Sequence, residues 1–269
     1  MKTMHTFGLT ASLMFAALAS TSASAATWTY SSTGPASASG LTATASAFSA
    51  ANNTTATVTA TTAYYGGGLG VTTTGESTGS PQHAIDNNSY ITASGTKVFG
   101  NIESVLISFS DGAGGVTSAD KVNLSQVSFG YASGDSDFSV YAYTGTATPT
   151  TTPSGLTYSN LTTNSWTLIG HYDGGTSSSG GTYNITNSIY SSHWLIGAYN
   201  GLGSGLDKGD DFFKLAGVTG NKCPTSGTVP GGCGGGGGGT PGGVPEPGTL
   251  LLMGAGFLGL TRMARRKAV

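Results

Sequence analysis

The sequence predicts an all-β protein, a β-sandwich of jelly-roll type, and three observations carry that prediction. Apolar runs of six to eleven residues recur between clusters of Gly, Asn, Asp and Ser, as strands recur between turns. No stretch holds a helical period bounded by caps. Only 8% of the 269 residues are charged, while Ser and Thr are abundant, Gly numbers 45 and aromatics reach 9%. That balance is far from the quarter or so of charged residues usual in soluble domains, and it suits an extracellular β protein with a real core.

The chain opens on a segment unlike the rest. Lys2 precedes an apolar run from Phe7 to Ala19, and Ala23-Ser24-Ala25 follows as a small-residue cleavage site. This is the layout of a secretory signal peptide over residues 1–25, helical while it engages the membrane, with Ala26 as the first mature residue. An uncleaved anchor would call for a longer run.

Residues 26–220 form the expected sandwich domain. Its first part, Thr27 to Thr62, alternates small and β-branched residues, as in TATVTATTAYY, and predicts strands with one modestly buried face. Further on, Ser104–Ser110, Val122–Ala132, Phe138–Tyr143, Ser165–Tyr172, His193–Tyr199 and Phe212–Val218 are each expected as strands. The alternation of Val122, Leu124, Val127, Phe129 and Tyr131 slips by one between Leu124 and Val127, which predicts a bulge. From Asn221 to Gly243 the chain is nearly all Gly, Pro, Ser, Thr and Cys, and is expected to be a flexible stalk. Cys223 and Cys233 within it are expected to pair as a disulfide in an oxidising compartment.

The last segment, 244–269, joins Pro245-Glu246-Pro247 to an apolar run from Gly248 to Leu260 and then to Arg262, Arg265, Arg266 and Lys267. As a helix, 13 to 16 residues cover roughly 20–24 Å, less than a hydrocarbon core of about 30 Å. All three arginines of the chain stand here, whereas 26–244 holds five lysines and eleven acids, a net charge of −6. The basic cluster would hold its end in the cytoplasm while the exported body stays outside. Two prolines keep the preceding backbone extended.

These residues resemble the PEP-CTERM sorting signal of Gram-negative bacteria. The resemblance implies that an integral-membrane cysteine transpeptidase, exosortase, cuts near Pro245-Glu246-Pro247 after signal peptidase has cut near Ala26. It implies transient anchoring in the inner membrane and then release to, or attachment at, the cell surface. It also implies an association with exopolysaccharide and biofilm. The stretch from Ser80 to Gly220, including SPQHAIDNNSY and GDDFFKLAGVTG, is similar to the β-sandwich body of certain exosortase-dependent surface proteins, a similarity that brings no chemistry with it.

No catalytic constellation emerges, and the chain is expected to be non-enzymatic. Gly75–Gly79 fits G-x-S-x-G around Ser77, but Pro81 and a turn-rich segment follow where a nucleophile elbow needs a helix. His83, His171 and His193 lack metal-ligand spacing. Gly234–Gly239 is followed by neither Lys-Ser/Thr nor a helix, as a phosphate loop would require. Nothing calls for nucleic acid as a partner. The acids are the remaining chemistry: Asp135 and Asp137 flank Ser136, Asp207, Asp210 and Asp211 precede FFKL, and Asp86-Asn87-Asn88 makes an oxygen-rich turn. Asp86, Asp135, Asp137, Asp210 and Asp211 are candidates for a structural Ca²⁺, which takes six to eight oxygens. The competing reading gives them to turn chemistry and solubility.

Two functions stay open. One is a non-catalytic surface or matrix protein. The other is a carbohydrate-binding module using Tyr131, Tyr141, Trp166 or Trp194 as platforms, and the exposure of those rings discriminates between them. Glycosidase chemistry would need a carboxylate separation that the sequence does not fix. Ice binding through arrays such as Thr57-Val58-Thr59 would need a regular repeat that is absent.

Overall fold

The computed structural model describes residues 25–30, 34–50, 57–73, 84–87, 89–91, 97–145, 153–176, 178–207, 209–224 and 233. Within them the apolar runs become strands. These are β1 (Ala26–Thr29), β2 (Ala36–Ala38), β3 (Leu41–Ala50), β4 (Val58–Tyr65), β5 (Leu69–Thr72), β6 (Ile85–Asp86), β7 (Ser89–Ile91) and β8 (Lys97–Phe99). There follow β9 (Ile102–Ser110), β10 (Val122–Ala132), β11 (Phe138–Tyr143), β12 (Trp166–Tyr172), β13 (Thr182–Asn184), β14 (His193–Ala198) and β15 (Phe212–Lys222). The signal segment, Ser77, His83, Asn88, the glycine tract and the tail from 234 onward lie outside the described residues.

The sandwich is realised as one antiparallel sheet that curls until its two halves face each other. Its path runs β12-β11-β14-β9-β3-β4-β5-β15-β10-β13, with β2 on β3 and with β1 and β6 on β15. β7 and β8 form a separate hairpin. β15 organises one half. β10 runs along one of its edges from Val122↔Lys222 to Ala132↔Phe213, and β1 lies on the other with Ala26↔Gly220. The bulge expected near Leu124 is present as a register shift between Leu124 and Gln126.

Inward positions of both halves make the main core. Trp28 on β1 meets Phe109 on β9 edge to face at 4.8 Å, and its Nε1–H donates to the Leu41 carbonyl at 3.2 Å. Phe129 on β10 meets Phe138 on β11 at 5.0 Å and stacks on Phe213 at 4.0 Å. Such ring pairs add stabilisation beyond the apolar area they bury.

β9, β11 and β14 do not simply alternate apolar with polar residues, because they are buried on both faces. Val105, Ile107 and Phe109 enter the main core, while Ile102 and Leu106 join a second cluster on the outer face with Phe48, Tyr141, Trp166 and Leu195. The 3-10 helix Tyr158–Asn164 covers that face through Tyr158 and Leu161. Thr157 caps its start, and Ser165 ends it in the left-handed region at φ 64°. The Tyr158 hydroxyl donates to Ser104 Oγ at 2.9 Å, so the buried phenol keeps a partner.

The sequence expectation is corrected at the end of the domain. Composition places the start of the linker at Asn221, but Asn221 and Lys222 still belong to β15. Cys223 is 2% exposed and Cys233 is 6% exposed. The Cys223 N–H donates to the Lys121 carbonyl at 2.8 Å, and the two cysteines form a disulfide with Cα atoms 5.7 Å apart. The bridge is thus packed on the sheet rather than carried in a stalk without a core.

Candidate functional site

Asp211 immediately precedes β15, and Asp135 and Asp137 lie in the turn that joins β10 to β11. Because β10 and β15 are paired over their whole length, the two segments arrive at the same end of the sheet. A short ladder locks them together: Ser133 N–H to the Phe212 carbonyl at 3.0 Å, Phe212 N–H to the Asp135 carbonyl at 2.9 Å, and Asp135 N–H to the Asp210 carbonyl at 3.3 Å. Asp210 adopts φ 84°, which turns the chain into this register. Asp tolerates that region better than most residues.

The side chains are then fixed one by one. One carboxylate oxygen of Asp211 accepts the Asp137 N–H at 2.8 Å, and the other accepts from the Asn87 side-chain amide. Asn87, fully buried, returns an acceptor to the Asp211 N–H at 3.0 Å and donates to the Tyr199 carbonyl at 2.9 Å. Asp137 accepts the Gly174 N–H at 3.2 Å. Oxygens of Asp135, Asp137 and Asp211 come within 4.8 Å of one another. Asp135 and Asp137 border a cleft of about 360 Å³, lined also by Asp173, Thr176, Leu206 and Asp207, while Asp211 lies buried behind them.

Three carboxylates this close oppose one another's ionisation. Burial, followed by the charge of Asp135, pushes the Asp137 carboxyl up to about 7. Burial and then the charge of Asp137 push Asp211 up to about 9, against the hydrogen bonds from Asp137 and Asn87. Asp135 is raised in the same direction by burial and, behind it, by a hydrogen bond with Asp207 and the charges of Asp207 and Asp210. Two things relieve such a cluster: bound protons, or a hard cation that shares the oxygens. The donor set fits Ca²⁺ chemistry, with Asp135, Asp137 and Asp211 as the residues that could hold it and Asp207 at the same cleft.

Of the five acids singled out in the sequence, the structure therefore brings three together. Asp86 is not on an open turn: it lies in β6, is 1% exposed, and its N–H donates to Glu103 at 3.3 Å. Asp210 contributes its backbone carbonyl to the ladder. Asp173 escapes the sequence reading, and its only signal is the turn-like D-G-G that follows β12.

The aromatic candidates divide clearly. Tyr141, Trp166 and Trp194 are at most 2% exposed. Trp194 donates to the Val122 and Ser191 carbonyls, and the Tyr141 hydroxyl accepts from Asn200 at 2.6 Å. Tyr131 is half-buried, with the Lys214 ammonium 5.7 Å from its ring centre. His171 pairs with Ser139 at 2.8 Å and His193 with Ser192 at 2.8 Å. Burial lowers both imidazoles, so both favour the neutral form.

No curated protein and no solved structure matches this chain. One family model does: that of the PEP-CTERM protein-sorting motif covers residues 243–267, so the chain carries this sorting motif C-terminal to its β domain.

Proposed function

We propose that this chain is an exported protein that exosortase delivers to the cell surface, where its β domain serves as a non-catalytic displayed body. The single observation that carries the reading is the sorting motif at 243–267. Its apolar run and basic end hold the exported chain in the inner membrane, and its prolines present extended backbone to the transpeptidase. Signal peptidase acts first, near Ala26, which is also where β1 begins. The surface product associates with exopolysaccharide and contributes to a biofilm matrix.

Burial of Tyr141, Trp166 and Trp194 supports the scaffold reading over the carbohydrate-binding one, because a sugar platform needs exposed rings. The test is the double variant Pro245→Ala/Pro247→Ala. It lets helix extend through Glu246, so export should continue while surface display fails and a longer membrane-bound form accumulates. Cell fractionation and a blot against the domain read both. Normal surface amount at normal size would mean that the segment is not a sorting signal.

A further inference from the structure

We infer that the Cys223–Cys233 disulfide sets how the membrane-held domain stands, with the carboxylate cleft pointing away from the lipid. The inference rests on the proposed membrane placement of the 243–267 motif.

Both chain junctions lie at one pole of the sheet. Ala26, at the predicted signal cut, pairs with Gly220, and Cys223 follows directly on β15. The cleft lies at the other pole, before Phe212 and beyond Ala132. From Asp211 to Cys223 is twelve steps along the chain, with the 11 residues of β15 between them, which at about 3.3 Å a step is roughly 40 Å.

The disulfide fixes where the chain leaves the domain. With the bond closed, Cys233 is held against the same pole, 5.7 Å from Cys223 between Cα atoms. Fourteen residues, 234–247, then lead to the apolar run, and their full extension is at most about 50 Å. Standing on the junction pole needs little of that length. Standing on the cleft pole raises the exit point by roughly 40 Å, so about four-fifths of the available contour would have to be straightened. With the bond open the chain leaves at Cys223, and twenty-four residues reach at most about 85 Å. Inversion then takes only about half of the contour, and the orientation is no longer enforced.

The test uses the chain from Ala26 to Val269, as signal peptidase leaves it, in lipid vesicles carrying nitroxide headgroups. A fluorophore is placed on Thr27→Cys at the junction pole or on Ser204→Cys at the cleft pole, both exposed positions. The expected result is at least severalfold stronger quenching at position 27 than at 204, falling toward equality in a Cys223→Ser/Cys233→Ser background. Equal quenching in the disulfide form overturns the orientation. An unchanged contrast in the double-serine chain overturns the role assigned to the disulfide. A chain that fails to float with vesicles overturns the membrane placement and this inference with it, at a step that precedes any labelling result.

Discussion

Replacing Asp137 by Asn should stabilise this protein at pH 8 when divalent cations are chelated, although it alters a buried, hydrogen-bonded residue. An acid that titrates near 7 in the fold and near 3.8 otherwise costs at most roughly 4 kcal/mol of stability once ionised in both states. The sign follows from proton binding. Between about pH 4 and pH 7 the folded chain keeps a proton that the unfolded chain has lost, so stability falls as pH rises through this window. The amide introduced by Asp137→Asn retains an oxygen for the Gly174 N–H and turns an NH₂ toward Asp135 and Asp211, exchanging repulsion for donation. Water in the cleft screens part of the parent's repulsion, and burying the amide takes back a further part of the gain. About 1–3 kcal/mol is left, or a melting temperature several degrees higher. The gain should shrink to under about 1 kcal/mol by pH 4, where the parent carboxyl is protonated in the fold. His171 and His193 also favour the fold less in acid, but they act equally on parent and variant and cancel in the difference. Thermal melts of both proteins at pH 4 and pH 8 in chelator provide the assay. Repeating them in millimolar Ca²⁺ should raise the parent more than the variant, because the variant has lost a charged ligand. A variant less stable than its parent in chelator at pH 8, or a difference independent of pH, would refute this account of the cluster.

Three further outcomes are expected. Trp28→Ala removes a fully buried ring between β1, β3 and β9 and should cost about 3–5 kcal/mol in denaturant unfolding; a cost under about 1 kcal/mol would mean that β1 is not essential to the core. Opening the disulfide by Cys223→Ser/Cys233→Ser should lower stability by up to about 2–3 kcal/mol, the loop-entropy value for a separation of 10 residues, and an unchanged midpoint would show that Cys233 is not ordered against the sheet. Gly174→Ala would drive a methyl group into the Ser136 carbonyl, so it should displace the N–H that holds Asp137 and destabilise the chain by more than about 2 kcal/mol; an unchanged unfolding curve would contradict that close approach.

Much of the fold is legible because strand periodicity is local. Phe138–Tyr143 and Val122–Ala132 can be bounded to the residue from their apolar pattern and flanking turns. Even the slip after Leu124 announces its bulge. The long-range pairings are not legible. That β1 closes on β15, some 190 residues away, follows from the curl of the sheet and leaves no mark in ATWT. Runs such as SVLISFS disclose burial, but not that a second face is covered by Tyr158–Asn164, since a turn with two caps looks like any polar loop. The site is half legible. Asp135-Ser136-Asp137 and Asp210-Asp211 stand out as acid pairs, yet only the pairing of β10 with β15 makes three of them neighbours and sets Asp86 apart. Asn87 is a single amide in a polar stretch, and its role appears only once Asp211 and Tyr199 surround it. The Gly-rich segment after β15 conceals the packed cysteines, because composition describes the average and not the one residue that the sheet retains.

The most direct test of the sorting account is the intact mass of the protein recovered from the cell surface. One species is expected, beginning near Ala26 and ending near Pro245-Glu246-Pro247, two mass units below the fully reduced form for the disulfide, plus any group joined at the cut. A surface species that still carries Arg262, Arg265 and Arg266 would contradict the sorting account.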